Sequence, residues 1–376
     1  MDRIRQRLSD LMGQLCCRSE RNFNHSPEER KNKDKSENVM RFFMAGMGSA
    51  GKSTIIRQLQ LLSHKNSNYK FCNDDWTELR TTEIDTEAWQ ATIRRNILDC
   101  FDIFVKQIKQ RDEKFDNEDN KNFAQIIEDI CDHDNAFEEI IFDETFKENI
   151  VKIFDDEAIK KMLTLRNKID LPHKKLFDGA HYFLTREKIL EVFDEGYNPT
   201  DEDKVHSRKP TVNMHNYKFM LNDTKIEIHD VGGQKSELLK ITDYLHKWSA
   251  DSKEGDKNFI LLVVSMSDYN VPHAQYPQHT LLDESIEYMK LLLNNAVAEN
   301  CKLLIFFNKK DRFKEKINDE HCRSDIDYLK EYLSTSQYKE YKKTGKHEPK
   351  TMYNAITAKF IENIKIKYPN KSCYCR

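Results

Sequence analysis

Hydrophobic residues along this chain follow two different periods, and each period occupies its own part of the sequence. Short apolar or alternating runs, typical of strands, occur at 42–45, 216–221, 225–229, 259–264, 301–307 and, more weakly, 351–356. Asn222-Asp223 separates two of these runs, which predicts a hairpin turn. Helical patterns follow at 283–293 and 324–333. Alternating strands and helices predict an α/β fold with a mostly parallel sheet and helices on both faces.

The segment from 66 to 204 differs from the rest, because strand patterns are almost absent there and Gly and Pro are rare. Its apolar residues recur at helical spacing within 84–108, 122–131, 136–154, 156–165 and 180–194. We therefore predict three regions. They are an N-terminal tail or helix at 1–38, a discontinuous α/β domain at 39–65 and 205–376, and an inserted all-helical domain at 66–204.

Composition limits the classes of function more than it identifies one. The chain has 376 residues, of which 33% are charged and 38% hydrophobic, and its formal net charge is −3. This balance argues against nucleic acid as the main partner, because a phosphate backbone requires a basic surface. Nine scattered cysteines without a C-x-x-C pair argue against a zinc site, and no apolar run is long enough to span a membrane. The sequence begins without a signal-peptide core, which predicts a reducing compartment.

The strongest chemical signal is a glycine-rich loop between a predicted strand and a predicted helix. It fits G-x-x-x-x-G-K-[ST] and consists of Gly46, Met47, Gly48, Ser49, Ala50, Gly51, Lys52 and Ser53, followed by Thr54. Glycines let backbone N–H groups approach one anion, and the helix N-terminus adds its dipole. Lys52 would bind the β- and γ-phosphates of a nucleotide, and the Ser53 hydroxyl would bind Mg²⁺. We therefore predict a phosphate-binding loop.

A second motif, D-x-G-G-Q, directly follows the predicted strand 225–229. Asp230 would hold Mg²⁺ through a water molecule, and the N–H of Gly233 would reach the γ-phosphate. Gln234 would orient an attacking water molecule. A plain turn is the alternative for this motif taken alone. Its position at a strand end, after a phosphate loop, favours the catalytic interpretation.

A third motif, N-K-x-D, ends the apolar run 301–307 and predicts guanine recognition. Asp311 would accept hydrogen bonds from the ring N1–H and the exocyclic amine, which adenine does not offer. Asn308 would face the base or tie the phosphate loop, and the Lys309 stem would stack on the ring. A charged turn is the alternative. Ala358, after the weak run 351–356, is a further guanine-binding candidate through its backbone N–H.

The order of these motifs indicates a guanine-nucleotide-binding protein, because each lies at the carboxyl end of a predicted strand, where open α/β sheets bind ligands. A small-molecule kinase that uses ATP is the alternative among phosphate-loop folds, although N-K-x-D has no role in it. A guanine-nucleotide-binding scaffold with negligible hydrolysis is the alternative from another functional class. The chemically complete set of residues favours an enzyme over a scaffold.

From about 39 to 360 the chain resembles the α subunits of heterotrimeric G proteins, because a long helical segment separates the phosphate loop from D-x-G-G-Q. The resemblance implies a Ras-like GTPase domain with an inserted helical domain, GTP/GDP and Mg²⁺ as ligands, and slow GTP hydrolysis. It puts Arg208 at the arginine finger and Thr211 at the switch Mg²⁺ ligand. It also implies a βγ dimer and a seven-helix receptor as partners, besides an effector that the sequence does not identify.

Departures from the family pattern concern the phosphate loop, the switches and the last helix. Ser49 and Ala50 stand where the family has Glu and Ser, and that Glu pairs with the arginine finger. The segment 235–241, where the family contacts βγ and effectors, is more apolar than usual. The final helix is expected to be short and to end before Pro369.

The N-terminal segment contains a candidate lipid anchor. Met12 precedes Gly13, Cys16 and Cys17, and this arrangement resembles the acylated start of family members. Translation from Met12 would permit myristoylation of Gly13 and palmitoylation of a cysteine, which together anchor a protein stably. The expected location is then the cytoplasmic face of the plasma membrane, or the cytosol without acylation. A buried or free cysteine pair is the alternative.

Overall fold

A computed structural model describes residues 39–79, 86–133, 136–168, 175–209, 211, 213–222, 224–233, 237, 239–273, 275–345, 348–371 and 373–375. Its strands are β1 (Val39–Ala45), β2 (Tyr69–Cys72), β3 (Met214–Leu221), β4 (Thr224–Val231), β5 (Lys257–Ser265), β6 (Lys302–Asn308) and β7 (Cys373–Cys375). All seven belong to one sheet in the order β2-β3-β4-β1-β5-β6-β7. The strands β4-β1-β5-β6-β7 are parallel to one another. At the other edge, β3 pairs antiparallel with both β2 and β4.

Helices separate the strands along the chain. The first half contains α1 (Lys52–Lys65), α2 (Thr86–Gln110), α3 (Glu118–Asp132), α4 (Glu144–Asp155), α5 (Glu157–Thr164), α6 (Ala180–Phe183), α7 (Arg186–Val192) and α8 (Asp201–His206). The second half contains α9 (Ile241–Ala250), α10 (Leu281–Leu293), α11 (Val297–Asn300), α12 (Lys310–Asn318), α13 (Thr335–Thr344) and α14 (Pro349–Lys367). Two 3₁₀ helices cover Met266–Asn270 and Glu320–Leu329.

Two hydrophobic cores lie on opposite faces of the sheet. Adjacent residues of β1 divide between them, because successive strand side chains point to opposite faces. Phe43 packs with the face covered by α9, α10, α12 and α14. Phe42 packs with the other face, to which α1 contributes Ile55, Ile56 and Leu59. The central strands are apolar on both faces, as expected for a parallel sheet covered on both sides.

A third core holds helices α2 to α7 together, and it contains no strand residue of the sheet. Its centre is α2, a helix of 25 residues whose side chains Ile93, Ile97, Phe101 and Phe104 are fully buried. The helical segment therefore has its own hydrophobic core, and the other two cores belong to the sheet. Among the described residues, no helix is long and apolar enough to cross a membrane. The division into domains at the residues given above stays a prediction.

Strand β2 was not expected, because it lies inside the segment 66–204 that the sequence predicts as helical. Its residues pair antiparallel with β3, from Tyr69 opposite Leu221 to Cys72 opposite Lys218. Four residues carry too short a pattern to be recognised without a partner strand. Helix α4 also begins later than predicted, at Glu144, and the predicted helix 180–194 is divided into α6 and α7.

The C-terminal part corrects the prediction of a weak strand at 351–356 followed by a short last helix. These residues belong to α14, a helix of 19 residues that buries Met352, Ile356, Phe360 and Ile364. Their spacing of four residues is helical, and it outweighs the short apolar run. The helix ends at Lys367, before Pro369, as predicted. The edge strand β7, parallel to β6, was also not expected.

Candidate functional site

A cleft of about 410 Å³ lies at the carboxyl ends of β1, β4 and β6, between the sheet and the helical segment. Its walls come from the phosphate loop, from the segments 177–181 and 205–209, from Thr211 and from the start of α12. Gly48 to Thr54, Arg208, Thr211, Gly233, Asn308, Lys309 and Asp311 all line it. Chemically distinct motifs that are far apart in the sequence therefore meet in one cavity.

The phosphate loop needs glycine at both of its ends. Gly46 has a φ of +147°, and a Cβ there would lie 2.3 Å from the carbonyl oxygen of Val263. Gly51, the N-cap of α1, has a φ of +102°, and a Cβ there would lie 2.2 Å from Asn308 Nδ2. Asn308 occupies that space because its Nδ2 donates a hydrogen bond of 2.9 Å to the Ala50 carbonyl. Asn308 thus ties the phosphate loop, which is one of its two predicted roles.

The side chain of Lys52, the first residue of α1, folds back over the phosphate loop. Its Nζ donates to the carbonyl oxygens of Gly46 at 2.7 Å and Met47 at 3.3 Å. The side chain is buried, and burial lowers the pKa of Lys52 to about 8 against the opposing effect of the Asp230 charge. Gly46 and Met47 are not among the residues that line the cleft, and their carbonyl oxygens instead accept hydrogen bonds from Lys52.

Three side-chain oxygens meet at the start of α1. Ser53 Oγ lies 2.6 Å from Thr211 Oγ1 and 3.1 Å from Asp230 Oδ2. The other carboxylate oxygen of Asp230 is buried and has no hydrogen-bond partner among the residues that the structure describes. Hydroxyl and carboxylate oxygens suit Mg²⁺, which also keeps water and binds nucleotide phosphates. The donor set fits Mg²⁺, because two hydroxyls and one carboxylate leave coordination positions for phosphate and water.

The predicted catalytic residues divide between described and undescribed parts of the chain. Arg208 lines the cleft with an exposed side chain. Gly233 lies against the phosphate loop, where a Cβ would come within 2.5 Å of the Gly46 carbonyl oxygen and of Lys52 Nζ. Gln234 lies outside the described residues, as do the lipidation candidates Gly13, Cys16 and Cys17.

At the N-K-x-D end of the cleft, Lys309 connects three elements. Its Nζ donates to the Ser49 carbonyl oxygen and forms an ion pair with Asp178, which precedes α6. Burial alone would raise the pKa of Asp178, but the charges of Lys309 and Lys175 outweigh burial and lower that pKa to about 2. Asp311, in the first turn of α12, lines the same end of the cleft.

Ala358 does not join this site. It lies inside α14 and borders a separate surface groove with Ile361, Glu362, Lys365 and Ile366. Its backbone N–H belongs to a helix rather than to a loop after a strand. The prediction of Ala358 as a guanine contact depended on the strand at 351–356, and it is wrong for the same reason.

Several polar contacts across the cleft had no signal in the sequence. Lys175 pairs with the buried Asp268 at 2.5 Å, and Arg166 pairs with Glu315 at 2.8 Å. Asn167 donates to Asp319 at 2.7 Å. These residues lie on charged segments that read as solvated surface. In the structure these contacts form a latch between the helical segment and the sheet.

Two histidines also line the cleft without a sequence signal. His206, at the end of α8, stacks on Tyr182 with ring centroids 4.2 Å apart, and His181 approaches it edge-on at 5.8 Å. Burial, with the nearby His181, lowers the pKa of His206. In the apolar segment 235–241, Ile241 is buried in the core, whereas Leu239 is 86% exposed. Leu239 therefore remains available to a partner.

Comparison with known proteins agrees with this geometry. A family model described as G-protein alpha subunit matches residues 19–376. The guanine nucleotide-binding protein alpha-3 subunit of Caenorhabditis elegans is 24% identical over 331 residues, which cover 87% of this chain and 85% of that protein. The alpha-9 subunit of Dictyostelium discoideum is 26% identical over 307 residues, covering 81% and 78%. The alpha-17 subunit of Caenorhabditis elegans is 26% identical over 297 residues, covering 78% and 74%.

Proposed function

Because this chain belongs to the G-protein alpha subunit family, and is thereby a guanine-nucleotide-binding signal transducer with GTPase activity, we propose a role for each group in its cleft. Lys52 and the backbone N–H groups of the phosphate loop hold the β- and γ-phosphates. Ser53 and Thr211 bind Mg²⁺ directly, and Asp230 binds it through water. The meeting of these three oxygen ligands beside the phosphate loop is the observation that supports the proposal most directly.

Hydrolysis would depend on Arg208 and Gln234. Arg208, exposed in the cleft, stabilises the charge that builds on the transferring phosphoryl group, and Gln234 orients the water molecule for in-line attack. Mg²⁺, when bound, neutralises charge on the β- and γ-phosphate oxygens. Asp311 selects guanine at the other end of the cleft. Loss of the γ-phosphate would then release the segments around Thr211 and Gly232.

The decisive experiment is single-turnover hydrolysis of γ-labelled GTP by the purified protein with Mg²⁺ and excess ATP as competitor. Release of phosphate at about 10⁻² s⁻¹, the order already established for alpha subunits with an arginine in cis, and undiminished by ATP, supports the proposal. Tight binding without release would favour the scaffold. Competition by ATP would favour the kinase.

Two substitutions test the assignment of roles. Gln234→Leu and Arg208→Ala are each expected to leave GTP binding intact and to slow turnover by at least about a hundredfold. Gln125→Leu, on the exposed face of α3, is a matched control that should hydrolyse GTP at the normal rate. A variant that turns over normally removes the role assigned to its residue.

The partners proposed from family membership are a βγ dimer, a seven-helix receptor and an effector. The exposed Leu239 supports a protein-binding surface near the segment around Gly232. We expect the GDP-bound protein to bind a βγ dimer and the form loaded with a non-hydrolysable GTP analogue to release it. Leu239→Ser should weaken that binding without changing hydrolysis. Equal binding by both nucleotide forms would contradict nucleotide-controlled association.

A lipid anchor at the plasma membrane is proposed from Gly13, Cys16 and Cys17. It requires translation from Met12, so that Gly13 becomes N-terminal after removal of methionine. Mass measurement of the endogenous N-terminal peptide tests it. A myristoylated peptide that begins at Gly13 supports the anchor, and an unmodified peptide that begins at Met1 contradicts it.

A further inference from the structure

The side chain of Asn96 holds the backbone of Arg208 from both sides. Arg208 N–H donates to Asn96 Oδ1 at 2.6 Å, and Asn96 Nδ2 donates to the Arg208 carbonyl oxygen at 3.0 Å. Asn96 lies on α2, in the helical core, and its side chain is buried. We propose that Asn96 is the positioning residue for the arginine finger, an inference that rests on the proposed role of Arg208.

An amide is suited to this task, because its NH₂ group donates and its carbonyl oxygen accepts, so that one side chain can bond both backbone groups of a single residue. The two hydrogen bonds fix the peptide groups on either side of the Arg208 Cα. The guanidinium carries neither bond, and it remains exposed in the cleft. The backbone is thus held while the side chain is free to reach a phosphate.

The residues beside Arg208 are anchored by two further groups. Arg57, on α1, donates from Nη1 to the Ser207 carbonyl oxygen at 2.8 Å. Trp89 lies on α2 seven residues before Asn96, and therefore on the same helix face. The guanidinium of Arg57 lies 5.0 Å from the Trp89 ring centroid, and the Lys209 ammonium lies 5.5 Å from it. The segment 207–209 is therefore held at each of its residues.

This arrangement replaces a contact that the phosphate loop of this chain does not offer. Where the family has a Glu that pairs with the arginine finger, this chain has Ser49, which carries no charge. Within the described part of the chain, Arg208 forms no ion pair. Orientation of the finger therefore falls to the backbone contacts. Asn96, which contacts Arg208 itself, is the group that provides them.

The test is a double-substitution cycle that measures single-turnover hydrolysis of γ-labelled GTP. Asn96→Leu, similar in volume but without polar atoms, is expected to slow hydrolysis by about 10- to 100-fold. This is a fraction of what an arginine finger contributes. Affinity for a non-hydrolysable GTP analogue should stay within about threefold, and affinity for GDP with aluminium fluoride, which mimics the transferring phosphoryl group, should fall. In an Arg208→Ala background, the same change should have no further effect on the rate.

Gln90→Leu is the matched control, because Gln90 also lies on α2 and donates to a backbone carbonyl outside that helix, that of Tyr197, which precedes α8. It should hydrolyse GTP normally. Asn96→Asp keeps the acceptor for Arg208 N–H, so its hydrolysis rate should lie between those of Asn96→Leu and the natural protein. This variant keeps the inference testable if Asn96→Leu unfolds.

Three outcomes separate the claims. If Arg208→Ala is slow and both Asn96 variants hydrolyse GTP normally, Asn96 does not position the finger. If Asn96→Leu slows hydrolysis equally with and without Arg208, its effect does not pass through Arg208, and the inference is overturned. If Arg208→Ala hydrolyses GTP normally, the proposed catalytic role of Arg208 is refuted, and the role of Asn96 with it.

Discussion

Lys309 of the N-K-x-D motif forms an ion pair with Asp178, on the opposite wall of the cleft. The pair joins the sheet to the helical segment directly beside the space for the nucleotide. It is one of several such contacts, since Lys175 pairs with Asp268 and Arg166 with Glu315. Because these contacts hold the two walls of the cleft together, their strength should limit the rate of nucleotide release.

Asp178→Asn should therefore accelerate GDP release, by about 3- to 10-fold, as expected for loss of one partly buried ion pair. Release of a fluorescent GDP analogue measures it. Glu144→Gln, which removes an exposed pair with Lys147 inside one helix, is the control and should release GDP normally. An unchanged rate in Asp178→Asn would show that the latch does not limit release.

The ratio of the GDP release rates of Asp178→Asn and the natural protein should not change between pH 5.5 and pH 7.5. The pKa of Asp178 is lowered from 3.8 to about 2 by the charges of Lys309 and Lys175, which outweigh the opposing effect of burial. Because the pKa of Asp178 is lowered in the closed cleft, its ionised carboxylate stabilises the closed cleft fully above the ordinary pKa of 3.8. That stabilisation is lost only as the pH falls towards 2. Titration of His206, which also lines the cleft, affects both proteins and cancels in the ratio.

Gly46→Ala is expected to destabilise the protein by about 2–4 kcal/mol, because the new Cβ meets the backbone of β5 at a positive φ. Denaturant unfolding measures the difference. Gly196→Ala is the control, since a Cβ there would meet only Asp194 Oδ1 at 3.4 Å, and it should stay within about 1 kcal/mol. Equal stability of the two variants would contradict the close approach of Gly46 to Val263.

Ser53→Ala should raise the Mg²⁺ concentration required for hydrolysis by at least about tenfold, and a chelator should stop hydrolysis of the natural protein. The reason is that Ser53 lies at the centre of the three proposed ligands. Ser63→Ala, in the same helix, removes only a hydrogen bond to the Gln60 carbonyl and serves as the control. Magnesium titration of the rate distinguishes them, and overlapping titrations would remove Ser53 as a ligand.

Asp311→Asn should exchange guanine for xanthine as the preferred base. The Asn amide has one acceptor oxygen, so it cannot accept from both the ring N1–H and the exocyclic amine of guanine, whereas its NH₂ group can donate to the carbonyl that xanthine carries instead of the amine. GTP affinity should fall by about a hundredfold or more, and xanthosine triphosphate should bind in its place. Asp243→Asn, also in the first turn of a helix, should leave both affinities unchanged. Competition binding with the two nucleotides decides the matter.

The local parts of the site could be predicted from the sequence. A glycine loop between a strand and a helix, D-x-G-G-Q after a strand and N-K-x-D after another are patterns of neighbouring residues. Their backbone geometry follows from glycine conformations and strand ends. The positive φ of Gly46 and Gly51, and the tie from Asn308 to the phosphate loop, are consequences of these patterns.

Short or ambiguous segments could not be predicted in the same way. Strands β2 and β7 have four and three residues, and a strand of that length is stabilised by its neighbour rather than by its own pattern. Residues 351–356 fit either a strand or a helix locally. Packing of Met352, Ile356 and Phe360 into the core that contains α10 and α12 favours the helix, and this removed Ala358 from the site.

The sequence by itself determined the order of most of the longer elements and the chemistry of each motif, because both depend on residues close together in the chain. Only the tertiary structure decided which distant groups meet. Ser53 and Thr211 are separated by 158 positions, and Asn96 and Arg208 by 112. A buried asparagine on a long helix has no periodic or motif signal. Its partner is set by how the helical segment packs against the sheet, which is a property of the whole fold.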